Sequence, residues 1–348
     1  MNRICQSSFG NLEAVISFAG SLGSPKRNLV HFYRDHLTGK WEATDTISSE
    51  ALSGGSIIQN RNKCMKGQEH GDFDVLVLEE DGYMAHYRRD NYRTYNNKNA
   101  WYNHAFVNDE KHPIFGQILV CGVAPLLQSD TPGNEAALET VLLTTTGEAM
   151  HYRCYTHEKF GELWWHWPSK ITGGVKGATC LFQSSKDHMN ALVPRANGIT
   201  EFTYTFADNI WTQTHHIGAV RGPACTYTPN PAHPITHVIF NGPHHVFMTI
   251  KAKGVSTPMW YSLSQVPAPL RQILSSPYRK GYSGHLMSIV PHPVKARKNA
   301  PNIEAIVFHR CGTGKKDTWM ILQWSRLMDS AEWVISGVVK DYVDGCPM

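Results

Sequence analysis

The chain has 348 residues, with 33 basic against 29 acidic side chains, a formal net charge of +4 and 11% aromatic residues. Near-balanced charge without a basic run interleaved with aromatics argues against nucleic acid as a partner, and no stretch approaches the roughly 20 apolar residues of a membrane span. Eight scattered cysteines without a Cys-x-x-Cys pair indicate no disulfide framework, and Met1-Asn2-Arg3-Ile4-Cys5-Gln6 shows no secretory signal, so the expected location is a reduced cytoplasm.

Along the chain one short unit returns six times. The first (about 1–50) opens with Ile4-Cys5-Gln6-Ser7, continues with Gly10-Asn11-Leu12-Glu13-Ala14-Val15-Ile16 and Leu29-Val30-His31-Phe32-Tyr33-Arg34-Asp35, and reaches Trp41. The second (51–110) repeats this as Ile57-Ile58-Gln59-Asn60, Gly71-Asp72-Phe73-Asp74-Val75-Leu76-Val77, Ala85-His86-Tyr87-Arg88-Arg89-Asp90 and Trp101. The third (111–172) has Leu126-Leu127-Gln128-Ser129, Ala137-Leu138-Glu139-Thr140-Val141-Leu142, Ala149-Met150-His151-Tyr152-Arg153 and Trp165. In the fourth (173–218), Leu181-Phe182-Gln183-Ser184 precedes Asn190 in the acidic column, Glu201 in the histidine column, and Trp211. The fifth (219–275) reads Cys225-Thr226-Tyr227-Thr228, His237, Met248 and Trp260, with a short helix expected at 266–275. The sixth (276–348) reads Leu286-Met287-Ser288-Ile289, Glu304, Leu322 and Trp333.

Four strands per unit, at about 58 residues each, predict an all-β, six-bladed β-propeller of one domain. The short apolar strands ending in Gln belong nearest the axis and the Trp-led strands at the rim. Gln6, Gln59, Gln128 and Gln183 then form a column, with Tyr227 and Ser288 in the other two units. Buried amides must find partners. They either bond neighbouring backbone at the blade ends or line an axial cavity and bind a ligand. Glu13, Asp74, Glu139 and Glu304 are expected to tie blades together by accepting bonds from Arg or backbone of the next blade, and His31, His86 and His151 to pack between blades.

The units around 10–48, 71–108 and 137–171 resemble the repeat of bacterial and fungal lectin-like β-propellers. That resemblance implies several equivalent sugar pockets between blades, hence a possible carbohydrate partner. Here at most three blades offer equivalent polar and aromatic sets, whereas multivalent binding gains from repetition of every copy.

The later units diverge, which fits one off-axis pocket. Residues from 188 onward hold ten of the 19 histidines. His215-His216 and His244-His245 are adjacent on strands and so point to opposite faces, which makes neither pair a metal clip. The chain also resembles, in shape and asymmetry, fungal hetero-Diels–Alderases of tropolone-sesquiterpenoid biosynthesis. That resemblance implies a cofactor-independent enzyme acting on small apolar or aromatic substrates, by dehydration to a diene and cycloaddition in one central pocket. Candidate catalytic residues are His237, Tyr227, His285, Arg221 and Glu201. Trp211, Trp260, Phe240 and Met287 are candidate walls, and Gln59, Gln128 and Gln183 candidate polar contacts. No metal or cofactor motif is present. Gly312-Thr313-Gly314-Lys315-Lys316 lacks phosphate-loop spacing and reads as a hairpin tip.

Overall fold

The computed structural model describes residues 4–19, 26–61, 70–91, 101–107, 120–121, 124–129, 137–156, 163–166 and 168–218. Beyond 218 it describes eight strands, with side chains only at 306, 320–323 and 335–340. Arg221 and the helix expected at 266–275 lie outside the described residues.

The described chain is all β and forms six antiparallel sheets. The first contains β1 (Ile4–Gln6), β2 (Leu12–Ala19), β3 (Arg27–Arg34) and β4 (Trp41–Ala51) in that order, and the second β5 (Ser56–Gln59), β6 (Phe73–Leu78), β7 (Met84–Arg89) and β8 (Tyr102–Phe106). The third runs β10 (Leu126–Ser129), β11 (Ala137–Thr144), β12 (Ala149–Thr156) and β13 (Leu163–Trp165). There β9 (Val120–Cys121) also pairs with β11 and β14 (Ser169–Thr172) with β12. The fourth is β15 (Cys180–Gln183), β16 (His188–Arg195), β17 (Gly198–Thr205) and β18 (Ile210–Gly218). The fifth is β19 (Pro223–Tyr227), β20 (Ile235–Asn241), β21 (Val246–Ala252) and β22 (Met259–Tyr261), and the sixth β23 (Gly284–His292), β24 (Asn302–Cys311), β25 (Thr318–Leu327) and β26 (Val334–Asp344). The segment 312–316 lies outside the described residues; β24 and β25 on either side of it pair antiparallel.

One end strand of each sheet, the Gln-bearing one in the first four, meets its counterparts. β1 lies against β5, β5 against β10, β10 against β15, β15 against β19, β19 against β23, and β23 against β1. Cores form between sheets, not within them. On β6 every residue is buried, because alternate side chains serve opposite neighbours. Phe73, Val75 and Val77 pack with Val15, Leu29 and Ile47 of the first sheet, while Leu76 and Leu78 pack with Leu126, Leu138 and Leu142 of the third. Val141 and Ala149 face Met189, Ala191 and Val193 of the fourth sheet. Ile306, Ile321 and Val339 of the sixth sheet join Ile4, Leu12, Ile16 and Phe32 of the first.

Two glycines hold positions where a side chain would bring strain or a clash. Gly147 ends the β11–β12 turn at φ +81°, where its N–H bonds the Thr144 carbonyl. At Gly71 a Cβ would fall 1.4 Å from the Asn60 carbonyl oxygen, so the second sheet's entry tolerates no side chain.

Pairing corrects two columns. In the first four sheets the Gln residue faces the position just before the acidic column, as Gln6 faces Leu12 and Gln59 faces Phe73. Tyr227 faces His237 directly, so the two cannot hold the Gln and acidic columns at once; one residue of offset turns a strand over. In the sixth sheet Glu304 pairs with Val290 and Ser325. The Gln position is therefore Pro291, not Ser288, and the histidine position is Gln323, not Leu322.

Candidate functional site

The polar columns meet in the seams between successive sheets. His31 Nε2 lies 3.0 Å from Glu13, His86 Nε2 2.8 Å from Asp74 and His151 Nε2 2.7 Å from Glu139, each pair within one sheet and buried. The other ring nitrogen serves the next sheet. Trp165 Nε1 donates to His86 Nδ1 and Trp211 Nε1 to His151 Nδ1, both at 3.3 Å. An Nδ1 that accepts fixes the neutral tautomer with its proton on Nε2, donated to the carboxylate. In the sixth sheet Gln323 substitutes for histidine: its Oε1 accepts from Trp41 Nε1 at 2.8 Å, and Gly337, whose Cβ would stand 3.1 Å from that oxygen, leaves the room. The carboxylates thus tie sheets together indirectly. Among the described residues Glu13, Asp74 and Glu139 do not accept from the next sheet, as the sequence led us to expect, but orient a histidine that does; the Glu304 side chain lies outside the described residues. Burial pushes the Asp74 carboxyl up, but His86 and Arg88 outweigh it and hold its pKa below the ordinary value. Burial lowers the pKa of His31 despite Glu13.

The glutamines make a second set of links. Gln59 Oε1 accepts from the Ser8 backbone N–H at 2.5 Å and its Nε2 donates to the Gly71 carbonyl at 3.0 Å. Gln128 Oε1 accepts from Arg61 N at 2.8 Å and Arg61 Nε at 3.0 Å. Each amide therefore captures the N–H two residues past its counterpart in the preceding sheet, which is the backbone alternative of the two raised above. Gln183 is buried in β15.

Two seams also contain an arginine among aromatic rings. Arg153 donates Nε to Glu139 Oε1 and Nη1 to the Tyr155 hydroxyl, both at 2.7 Å. Its guanidinium lies 5.2 Å from the ring centres of Tyr204 and Phe206, and its buried Nη2 has no partner among the described residues. Burial works against this charge, but Glu139, Tyr204 and Tyr155 outweigh it and hold the pKa above the ordinary arginine value. Arg89 reaches the seam between the first and second sheets, 5.2 Å from the Phe73 ring centre and 6.0 Å from that of Trp101.

Of the residues singled out by sequence, Glu201 sits in the histidine column, opposite Leu192 as His31 is opposite Val15. It is buried, accepts from Asn190 Nδ2 at 2.8 Å, and lies 2.9 Å from His215 Nδ1, whose side chain is 32% exposed. Trp211 packs on His151 and Tyr204. Tyr227, His237, Phe240, Trp260, His285 and Met287 have backbone in β19, β20, β20, β22, β23 and β23; their side chains lie outside the described residues. The sequence reading did not single out Arg153, Arg89, His215 or Gln323 as site or column residues. Period-2 alternation from the acidic column would have placed Arg153 two residues past His151, in the same seam. Among the described residues no group of three or more His, Cys, Asp or Glu stands together as a metal site, and no helix is long and apolar enough to cross a membrane.

No family model matches the chain, and no curated protein sequence does. Among solved structures, AofleA from Arthrobotrys oligospora matches over 100% of this chain and 88% of its own, with TM-score 0.56 and 9% identity. A protein from Lactobacillus plantarum matches over 99% of this chain and 86% of its own, with TM-score 0.51 and 10% identity. TolB from Acinetobacter baumannii matches over 93% of this chain and 65% of its own, with TM-score 0.46 and 11% identity. Likeness at these identities speaks for the fold alone. The chain is an all-β protein of antiparallel four-stranded sheets with propeller-like neighbours. The matched structures lend nothing to a cycloaddition activity.

Proposed function

We propose that the six sheets are blades of one closed, single-domain β-propeller, divided near 50, 110, 172, 218 and 275, and that the seam between its third and fourth blades binds a carbohydrate. Closure is supported by the meeting of β23 with β1, the core shared by Ile306 and Leu12, and the bond from Trp41 to Gln323. The observation that carries the binding reading is Arg153. Glu139 and Tyr155 hold two of its nitrogens while Nη2 is left without a partner among Tyr155, Tyr204 and Phe206. A sugar lays its apolar C–H face on aromatic rings and gives a hydroxyl oxygen to a fixed donor. A glycan array should show binding by the wild type, weakened about ten- to hundredfold in Arg153→Ala. A flat array for a folded wild-type protein rejects the reading.

One observation favours a second reading, cofactor-independent cyclisation of small apolar or aromatic substrates. Buried Glu201 orients a partly exposed His215, the arrangement a general acid–base needs. If substrates are converted, His215→Asn should lower turnover by about 10²–10⁴-fold. His237→Ala tests the neighbouring sheet in the same assay.

A further inference from the structure

The seam between the first and second sheets differs from the other three described seams in what its tryptophan does. Trp41, Trp165 and Trp211 each donate Nε1–H to the preceding sheet. Trp101 stands edge-on to His31, ring centres 5.4 Å apart, yet its buried Nε1 has no partner among the described residues. The cause is on His31. Its Nε2 is committed to Glu13, and its Nδ1 is already met by the Thr44 hydroxyl at 2.8 Å and by Arg89 Nη1 at 3.3 Å. Thr44 and Arg89 together occupy the acceptor that Trp101 would use.

Arg89 is itself left incomplete. Its Nε is buried without a partner, and of its nitrogens only Nη1 bonds a described residue. Among the described residues no carboxylate forms an ion pair with it; burial pulls its pKa below the ordinary arginine value, and Glu13 and Asp45 offset only part of that. Glu13 is engaged by His31.

We infer that Arg89 and Trp101 form a carboxylate-binding site in this seam. The Nε–Nη2 edge of a guanidinium presents two parallel N–H groups matched to the two oxygens of a carboxylate. Trp101 Nε1 adds a third donor. These groups donate and accept nothing, so the ligand must supply lone pairs, and the cation, with no ion-paired carboxylate among the described residues, selects a charged one. The site stands on its own whether or not Arg153 binds sugar.

The test is titration of the ¹⁵N-labelled full-length protein with acetate and, separately, glucuronate at constant ionic strength, following the Trp101 indole N–H assigned with Trp101→Phe. A saturable Trp101 shift is expected. Arg89→Gln should weaken binding about ten- to hundredfold. Saturation by glucuronate but not acetate identifies an acidic sugar as the source; saturation by both identifies the carboxylate alone. Absence of a saturable shift with either, a shift that persists in Arg89→Gln, or sulfate binding as well as acetate overturns the assignment. If Arg89→Gln does not fold, the wild-type titrations with acetate, glucuronate and sulfate decide the question.

Discussion

The seam between the first two sheets and the seam between the third and fourth use the same parts with opposite accounting. Both have a buried carboxylate–histidine pair facing a tryptophan, and both hold an arginine against aromatic rings. In the later seam the arginine comes from the same face as the carboxylate and bonds it, and the tryptophan bonds the histidine. In the earlier seam the arginine comes from the facing sheet and, with Thr44, bonds the histidine, and the tryptophan N–H has no partner among the described residues. One face of a strand thus decides whether an arginine completes a buried network or interrupts it.

The sharpest way to break this contrast is to remove each seam's charge. Glu139→Ala strips His151, Arg153 and Ser129 of their shared acceptor. Breaking a buried pair in this way should cost about 3–5 kcal/mol, measured by urea unfolding. Arg89→Ala removes a cation that pairs with no carboxylate among the described residues and leaves His31 Nδ1 to Thr44. Its cost should stay below about 2 kcal/mol, the scale of a desolvated cation–π contact. Equal costs would erase the distinction.

Much of this was legible in the sequence, and the failures have physical causes. Faithful units gave the sheets, the short Gln-bearing strands and the buried carboxylates, because Glu13, Asp74 and Glu139 recur beside histidines at constant spacing. Divergent units lost the register. Gln323 was missed beside Leu322 because a single-residue offset exchanges the two faces of a strand, and Tyr227 and His237 were assigned to columns that their direct pairing forbids. Arg88 and Arg89 are neighbours in sequence but serve different seams: Arg88 bonds Asp72 at 2.6 Å within its own sheet, while Arg89 crosses to His31. Alternation shows that they part, but only the packed structure shows that Arg89 shares with Thr44 the nitrogen that a tryptophan takes in the next two seams.

Acid should distinguish the histidine of the early seam next. The folded-state pKa of His31 is depressed, so as pH falls below about 6.5 the unfolded chain binds that proton first. Stability is full above this pH and declines below it, by up to about 1.4 kcal/mol per pH unit for one proton, until the lowered folded pKa is reached. Asp74, also depressed, adds a loss of the same sign below its unfolded value of about 3.9. Chemical unfolding across pH should show the upper decline in the wild type and its absence in His31→Gln. A profile that rises on acidification contradicts the assignment.

A smaller effect compares tryptophans. Trp211→Phe and Trp101→Phe lose similar ring volume, but only the former gives up a hydrogen bond. The two unfolding free energies should differ by about 1 kcal/mol, with Trp211→Phe the less stable.

The most direct measurement is hydrogen exchange at the indole N–H groups of the folded protein, read by ¹⁵N NMR. Trp41, Trp165 and Trp211, bonded across their seams, should exchange slowly, and Trp101 faster than all three. Trp101 protected to the same degree as the others would mean that its N–H has a partner in the protein, and would contradict the account of the first seam.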